Sequence, residues 1–223
     1  MGCVKSFLFG KREESREKIH HLLMLIIRAI LLIAFAFSIY EKRWALLFMI
    51  SLNFLITFLP KLFEKKYRVN IPIEFETLIL LFAFASLFLG EVRDYYVRYW
   101  WWDAVLHVGS GVALGFAGFI ILYVLYKGNK INARPITIVL FSFCFAMAIG
   151  AVWEIFEFGM DQIFGLNMQK SGLIDTMWDL IVDGLGAIFA SVVGYIYLKR
   201  GEVFFIDKII KRFVRDNSSL FKK

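Results

Sequence analysis

The sequence has 223 residues, 60% of them hydrophobic, and a formal net charge of +7 at pH 7. A soluble domain would be closer to half apolar, and the apolar residues here lie in long blocks, so the composition indicates an integral membrane protein. The positive charge lies between and beyond those blocks, which argues against a nucleic-acid partner. The two cysteines, Cys3 and Cys144, form no zinc-type cluster.

The apolar blocks predict six membrane-spanning helices, and therefore an all-α polytopic bundle. In chain order they cover about residues 22–40, 45–60, 75–90, 104–126, 135–158 and 176–198. The second and third are shorter than the ~20 residues that a bilayer core of about 30 Å requires. We therefore expect one of them to tilt or to extend into its flanks. Together the six make a predicted membrane domain over residues 22–200.

Polar segments flank this domain on both sides. Residues 1–21 are a charged N-terminal segment, in which His20 and His21 are expected to face solvent. Residues 201–223 predict a basic amphipathic helix, with an apolar stripe opposite lysines and arginines. Such a helix typically lies on a membrane surface, so we expect it to bind the anionic lipid of the inner leaflet.

The distribution of basic residues predicts the orientation in the membrane. Most of the 26 Lys and Arg residues precede the first span, follow the last, or join spans two to three and four to five. By the positive-inside rule these segments are cytoplasmic, and the tryptophans fall near the opposite face. The prediction is a multi-pass protein of the inner (cytoplasmic) membrane with both termini in the cytoplasm.

Nearly every acidic residue within the apolar sequence lies towards the predicted outer side of the membrane. They are Asp103, beside His107; Glu154, Glu157 and Asp161; and Asp175, Asp179 and Asp183. Each set repeats at three or four residues and so presents one face of a helix. A carboxylate inside a bilayer costs at least a few kcal/mol unless it is paired, protonated or bound to a cation. These groups are therefore the strongest candidate functional site.

Small residues at four-residue spacing predict which of the spans touch. They are Gly111, Gly115 and Gly118 in span four, and Gly186, Ala190 and Gly194 in span six. Such residues allow helices to approach closely in lipid. Contact between these two spans would bring Asp103 and His107 to Asp179 and Asp183.

The chemistry of the acidic set leaves three alternatives open. The carboxylates could share protons, basic residues such as Lys170 could fold in as counter-charges, or a divalent cation could lie among them. The cation hypothesis assigns Asp103, His107, Glu154, Asp179 and Asp183 as ligands, with Asp161, Asp175 and Lys170 at the mouth of the site. Oxygen-rich ligation favours Mg²⁺, Mn²⁺ or Ca²⁺ over Zn²⁺.

The order of these residues resembles the VanZ-like superfamily of membrane proteins. That pattern has Asp-x-x-x-His opening one span, Glu-x-x-Gln closing the next and Asp-x-x-x-Asn-x-x-Gly in the last. The matching strings here are Asp103-Ala-Val-Leu-His107, Glu154-Ile-Phe-Glu157 and Asp179-Leu-Ile-Val-Asp183-Gly-Leu-Gly186. Glu157 replaces the usual Gln and Asp183 the usual Asn, and the longer strings look closer to the YjdF-type bacterial and archaeal membrane proteins. The resemblance implies a six-span inner-membrane protein and supplies no reaction.

Three functions fit these observations. The first is metal-dependent chemistry on a lipid-linked or amphiphilic substrate at the outer leaflet, with His107 or Glu157 as general base. The second is a non-catalytic module that binds an ion or a lipid. The third is a transporter of cations or of proton-coupled solutes, although the inner halves of spans four to six are almost wholly apolar.

Overall fold

The computed structural model describes residues 2–165, 167–201 and 204–218, with side chains described from Ser15 onward except at positions 16, 45 and 204–209. Within these ranges the chain forms helices and turns and no strand. The helices are α1 (Gly2–Tyr40), α2 (Trp44–Ile56), α3 (Leu59–Tyr67), α4 (Ile73–Ala83) with a π-helical continuation (Phe84–Val92), α5 (Tyr95–Arg98), α6 (Trp102–Lys127), α7 (Pro135–Phe164), α8 (Leu173–Arg200) and α9 (Phe204–Asp216).

Six helical stretches of the described chain are long and apolar enough to cross a membrane. They are Glu17–Tyr40, Leu46–Tyr67, Ile73–Val92, Trp102–Lys127, Pro135–Phe164 and Leu173–Arg200. The predicted all-α six-span fold is confirmed, and the short second and third spans do extend into their flanks. The orientation, with both termini in the cytoplasm, stays a prediction.

The spans are longer than their apolar blocks because hydropathy and helix termination depend on different residues. A block ends at its first charged residue, whereas a helix continues until its backbone hydrogen bonds stop. Helix α7 is followed by Gly165 with a φ of 65°, and α8 by Gly201 with a φ of 74°. Glycine adopts this left-handed conformation without a steric penalty, which is why it commonly follows the last helical residue.

The chain divides into two compact units, and the first is Met1–Arg98. Its core consists of Met24, Ile27, Leu31, Ile50 and Leu80, which join α1, α2 and α4. Arg28 ties two of these spans, because its Nε donates to Thr57 Oγ1 at 3.1 Å and its guanidinium lies 4.0 Å over the Phe58 ring.

The expectation that His20 faces solvent is wrong. Its ring is only 4% exposed and contacts Thr77 and Glu76 of α4, whereas the neighbouring His21 is exposed, as expected. His20 precedes the core residues Met24, Ile27 and Leu31 at helical spacing. The buried stripe of α1 therefore continues one turn beyond the apolar block.

The second unit is Tyr99–Lys223, in which α6, α7 and α8 pack together. Helices α6 and α8 approach so closely that a methyl group on Gly186 would overlap the backbone of Val108, and one on Gly111 would overlap the backbone of Asp183. The contact that the glycine spacing predicted is present. Helix α7 is fastened to α6 by Ser142, whose hydroxyl donates to the carbonyl of Gly115 at 2.6 Å.

Helix α9 packs against the α6–α8 bundle. Its Ile210 is 3% exposed and joins the core formed by Phe119, Tyr123, Ile138 and Tyr197. Lys211 and Arg215 on the same helix are exposed. Lipid binding by this segment stays a prediction, and residues 202, 203 and 219–223 of the predicted tail lie outside the described residues.

Candidate functional site

The centre of the candidate site is His107, which α6 buries among three aspartates. Its Nε2 atom lies 3.7 Å from Asp103 Oδ1 and 3.9 Å from Asp179 Oδ1, and its Nδ1 atom lies 3.3 Å from Asp183 Oδ2. Asp103 precedes it by one turn of α6, and the other two project from α8. We call these four residues the His–Asp cluster. Its inner members are buried, with Asp179 5% and Asp183 2% exposed.

Hydrogen bonding decides which nitrogen of His107 is free. An ionised carboxylate can only accept hydrogen bonds, so with Asp183 ionised the Nδ1–H group donates to it. The second oxygen of Asp183 lies 2.9 Å from the Ser110 hydroxyl, whose single proton is shared between this oxygen and the His107 carbonyl at 2.8 Å. With Nδ1 protonated, the lone pair of a neutral ring is on Nε2, the nitrogen that faces Asp103 and Asp179.

The two sides of the ring therefore differ in what they can bind. Asp103, His107 and Asp179 each offer one ligand atom, and these atoms lie within 4.8 Å of one another, so the group could hold a metal ion. The His107 Nε2 atom lies 3.7 Å from the Asp103 oxygen and 3.9 Å from the Asp179 oxygen. At these separations, one hard cation could lie about 2.0–2.6 Å from all three atoms. Asp183 lies on the opposite side of the ring, against Nδ1.

The space for Asp183 comes from a glycine of α7. A Cβ atom at Gly150 would lie 2.6 Å from Asp183 Oδ2, so a larger residue would displace the carboxylate. Neither Gly150 nor Ser110 was identified from the sequence. Ser110 follows His107 by three residues on the same helical face, which is the signal that could have indicated it.

The residues predicted at the mouth lie at the end of α7 (Asp161), in the loop that follows (Lys170) and at the start of α8 (Asp175). Asp161 accepts backbone hydrogen bonds from Met168 at 2.7 Å and Gln169 at 2.9 Å, and Asp175 accepts one from Lys170 at 3.1 Å. The Lys170 ammonium lies 2.9 Å from Asp103 Oδ2. Asp161 and Asp175 thus shape the loop, and Lys170 supplies a cation to the cluster.

Helix α7 contributes two glutamates beside the cluster. Glu154 is 4% exposed, and neither of its carboxylate oxygens meets a donor at hydrogen-bonding geometry among the described residues, although the Thr176 hydroxyl is near. It is close enough to His107 and Asp183 to interact with both electrostatically. Glu157 is half-buried and accepts a hydrogen bond from Trp153 Nε1 at 2.8 Å.

Comparison with known proteins places the whole membrane domain in one family. The model of the family described as predicted membrane protein (DUF2238) matches residues 20–200. An uncharacterized protein of Thermotoga maritima is 28% identical over 187 residues, which cover 82% of this chain and 92% of that protein. No solved structure matches the chain. The VanZ-like and YjdF-type resemblances stay predictions.

Proposed function

This chain belongs to the DUF2238 family of predicted membrane proteins, and we propose that its His–Asp cluster binds a divalent cation in the outer half of the membrane. The observation that carries the proposal is the hydrogen bond from His107 Nδ1 to Asp183. A carboxylate on one ring nitrogen directs the other nitrogen to a metal in many protein sites, and it increases the basicity of that ligand. Here that nitrogen faces Asp103 and Asp179.

The charges around the cluster support a cation. The cluster has three carboxylates, and Glu154 adds a buried fourth whose oxygens meet no hydrogen-bond donor within the described part of the chain. Lys170 pairs with Asp103 and is itself partly exposed. Unpaired carboxylates in a low-dielectric interior cost several kcal/mol each. An ion between Asp103, His107 and Asp179 would offset that cost.

The ligand atoms favour a hard metal. One imidazole nitrogen with carboxylate oxygens suits Mn²⁺, Mg²⁺ or Ca²⁺ better than Zn²⁺. Glu154 is a candidate for a fourth protein ligand, since it interacts electrostatically with His107 from α7. In this proposal Asp183 orients His107 and is not a direct ligand, because it lies on the Nδ1 side.

We further propose that the bound cation supports catalysis on a lipid-linked or amphiphilic substrate. Three protein ligands leave coordination positions for water or a substrate oxygen. Ile174 and Trp178 precede Asp179 on α8 and are largely exposed, which suits contact with lipid. Since both nitrogens of His107 are committed when an ion is bound, Glu157 is the candidate general base. A non-catalytic ion-binding module would use the same site without turnover.

Titration of the purified, detergent-solubilised protein with Mn²⁺ tests the proposal. We expect one equivalent per chain, and Asp179→Asn should weaken binding by roughly 100-fold, since even outer-sphere partners of metal ligands are worth about 10–100-fold. Lys170→Gln should have the opposite effect. It removes a competing ion pair worth about 0.2–1 kcal/mol, so affinity should rise by up to about fivefold.

Thermal unfolding without metal is the control, because both variants should melt close to the unsubstituted protein. Saturable binding that Asp179→Asn leaves unchanged would refute the site. Absence of any binding to the unsubstituted protein would favour a proton-sharing network.

A further inference from the structure

An open groove lies where α6 ends and the chain turns towards α7, at the end of the second unit that is opposite to the His–Asp cluster. It has a volume of about 540 Å³, within the ~300–1,000 Å³ that is typical of small-molecule sites. Its lining residues are Tyr126, Lys127, Asn129, Lys130, Ile131 and Asn132. Since His107 lies near the start of α6 and Lys127 is its last residue, this groove is distinct from the proposed cation site.

Backbone hydrogen bonds fix the shape of the groove. The Asn129 N–H group donates to the Tyr126 carbonyl at 3.1 Å, and the Lys130 N–H group donates to the Leu125 carbonyl at 2.9 Å. Asn129 has a φ of 53°, in the left-handed region that asparagine adopts more readily than most residues. This turn brings Lys127 and Lys130 to the same groove. The groove is therefore formed before any ligand binds.

The end of the bundle around the groove is basic. Residues 104–153 and 184–201 contain no Asp or Glu. Their five Lys and Arg residues are Lys127, Lys130, Arg134, Lys199 and Arg200. The rings of Tyr123 and Tyr197 lie 5.7 Å apart, which brings the basic ends of α6 and α8 side by side. Helix α9 packs against these tyrosines and carries four basic residues and two acidic ones. The groove therefore complements an anionic ligand.

The position of the groove favours a lipid as that ligand. The fourth span ends at Lys127, and the tyrosines at positions 123 and 126 precede it, as is typical of a membrane–water interface. Apolar side chains border the turn on both helices, since Leu125 of α6 is 38% exposed and Ile136 of α7 is 61% exposed. In a bilayer these two side chains contact acyl chains. A molecule with a negatively charged phosphate and acyl chains matches both surfaces.

We propose that this groove binds the headgroup of an anionic phospholipid, in the leaflet away from the His–Asp cluster. The ammonium groups of Lys127 and Lys130 pair with the phosphate oxygens. The Asn132 amide donates to a further headgroup oxygen, and Leu125 and Ile136 contact the acyl chains. A zwitterionic headgroup binds more weakly, because it brings a positive charge to the lysines. This site is separate from the membrane contact predicted for α9, which supplies none of the lining residues.

Binding of a soluble short-chain phosphatidylglycerol to the full-length protein in detergent, measured by calorimetry, tests the site. We expect one lipid per chain, bound at least about tenfold more tightly than short-chain phosphatidylcholine or inorganic phosphate. Equal affinity for inorganic phosphate would indicate a site for free anions. Equal affinity for phosphatidylcholine would indicate apolar contact alone. Either result, or no saturable binding of phosphatidylglycerol, would overturn the proposal.

Replacing both lysines of the groove, in Lys127→Gln/Lys130→Gln, should weaken binding of phosphatidylglycerol roughly 25-fold, because each lysine near an anionic membrane surface contributes about fivefold. The matched control is Lys65→Gln/Lys66→Gln, which removes the same charge from two exposed lysines in the last turn of α3. The control should keep the affinity of the unsubstituted protein. Equal loss in the two double variants would indicate diffuse attraction by net charge and would refute the groove.

Asn132→Asp is a second variant, which adds a negative charge to the groove with almost no change of shape. It should weaken binding about fivefold, the effect of one charge near the headgroup. Each of these variants replaces exposed side chains, so each should melt close to the unsubstituted protein when no lipid is present. Full affinity in both Asn132→Asp and the variant without the two groove lysines would contradict the assignment.

Discussion

Replacing Gly186 with valine is expected to separate α6 from α8 and to abolish cation binding with the same change. A Cβ atom at this position would overlap backbone atoms of Val108 and Val112, which cannot rotate away. Overpacking typically costs about 1–3 kcal/mol, and occasionally more, and a clash with backbone belongs at the upper end. Since Asp179 reaches His107 across this same interface, a shift of the two helices would remove one of the three ligands. Thermal unfolding and Mn²⁺ titration measure the two effects.

Gly109→Val is the matched control for that experiment. Gly109 is on α6, the helix that faces Gly186, and a Cβ atom there meets nothing within 4 Å. The variant should melt and bind Mn²⁺ much as the unsubstituted protein does. If Gly186→Val behaved like Gly109→Val, the close approach of α6 and α8 would not be what assembles the cluster.

Replacing Asp183 with alanine should lower the affinity for a divalent cation by about 10–100-fold, the usual effect of removing a carboxylate behind a histidine ligand. The substitution leaves His107 Nδ1 without its acceptor in a buried site, and the Ser110 hydroxyl keeps only the His107 carbonyl. The ring is then free to rotate or to adopt the other tautomer, in which Nε2 carries a proton and cannot bind the ion. Mn²⁺ titration measures the change.

Asp161→Asn supplies the acidic control for Asp183→Ala. Asp161 was also predicted at the site, at its mouth, but its carboxylate accepts hydrogen bonds from backbone N–H groups of the α7–α8 loop. Asp161→Asn should therefore change the affinity for the cation only by moving Lys170, and by no more than a few fold. A similar loss of affinity in both variants would indicate a general effect of charge on the cluster, with no orienting role for Asp183.

The fold could be predicted from the sequence because a bilayer imposes it. Every backbone polar group in the hydrocarbon must be bonded within its own segment, so long apolar blocks form helices. The pairing of α6 with α8 was also predictable, since Gly111 and Gly186 leave few other ways to pack. Helical periodicity then placed Asp103 and His107 opposite Asp179 and Asp183.

Other features of the site depend on distances between side chains of different helices, which helical periodicity does not give. The sequence could not show that Asp183 contacts Nδ1 of His107 while Asp179 faces Nε2. The two aspartates lie on the same face of α8, one helical turn apart, and the pattern does not distinguish them. Nor could it select Lys170 as the counter-charge of Asp103 from among the basic residues of the loops. His20 was expected in solvent because it sits in a charged segment, and only the packing of α4 against α1 buries it.

The most direct test of the cation site is pulsed electron paramagnetic resonance on the Mn²⁺-bound protein. A metal held by His107 Nε2 must show the hyperfine coupling of one directly bound histidine nitrogen, and the coupling should change with isotope-labelled histidine. His107→Gln should remove it, whereas His21→Gln should leave it intact. Bound Mn²⁺ without a nitrogen coupling, or a coupling that survives His107→Gln, would contradict the assignment of this cluster as the cation site.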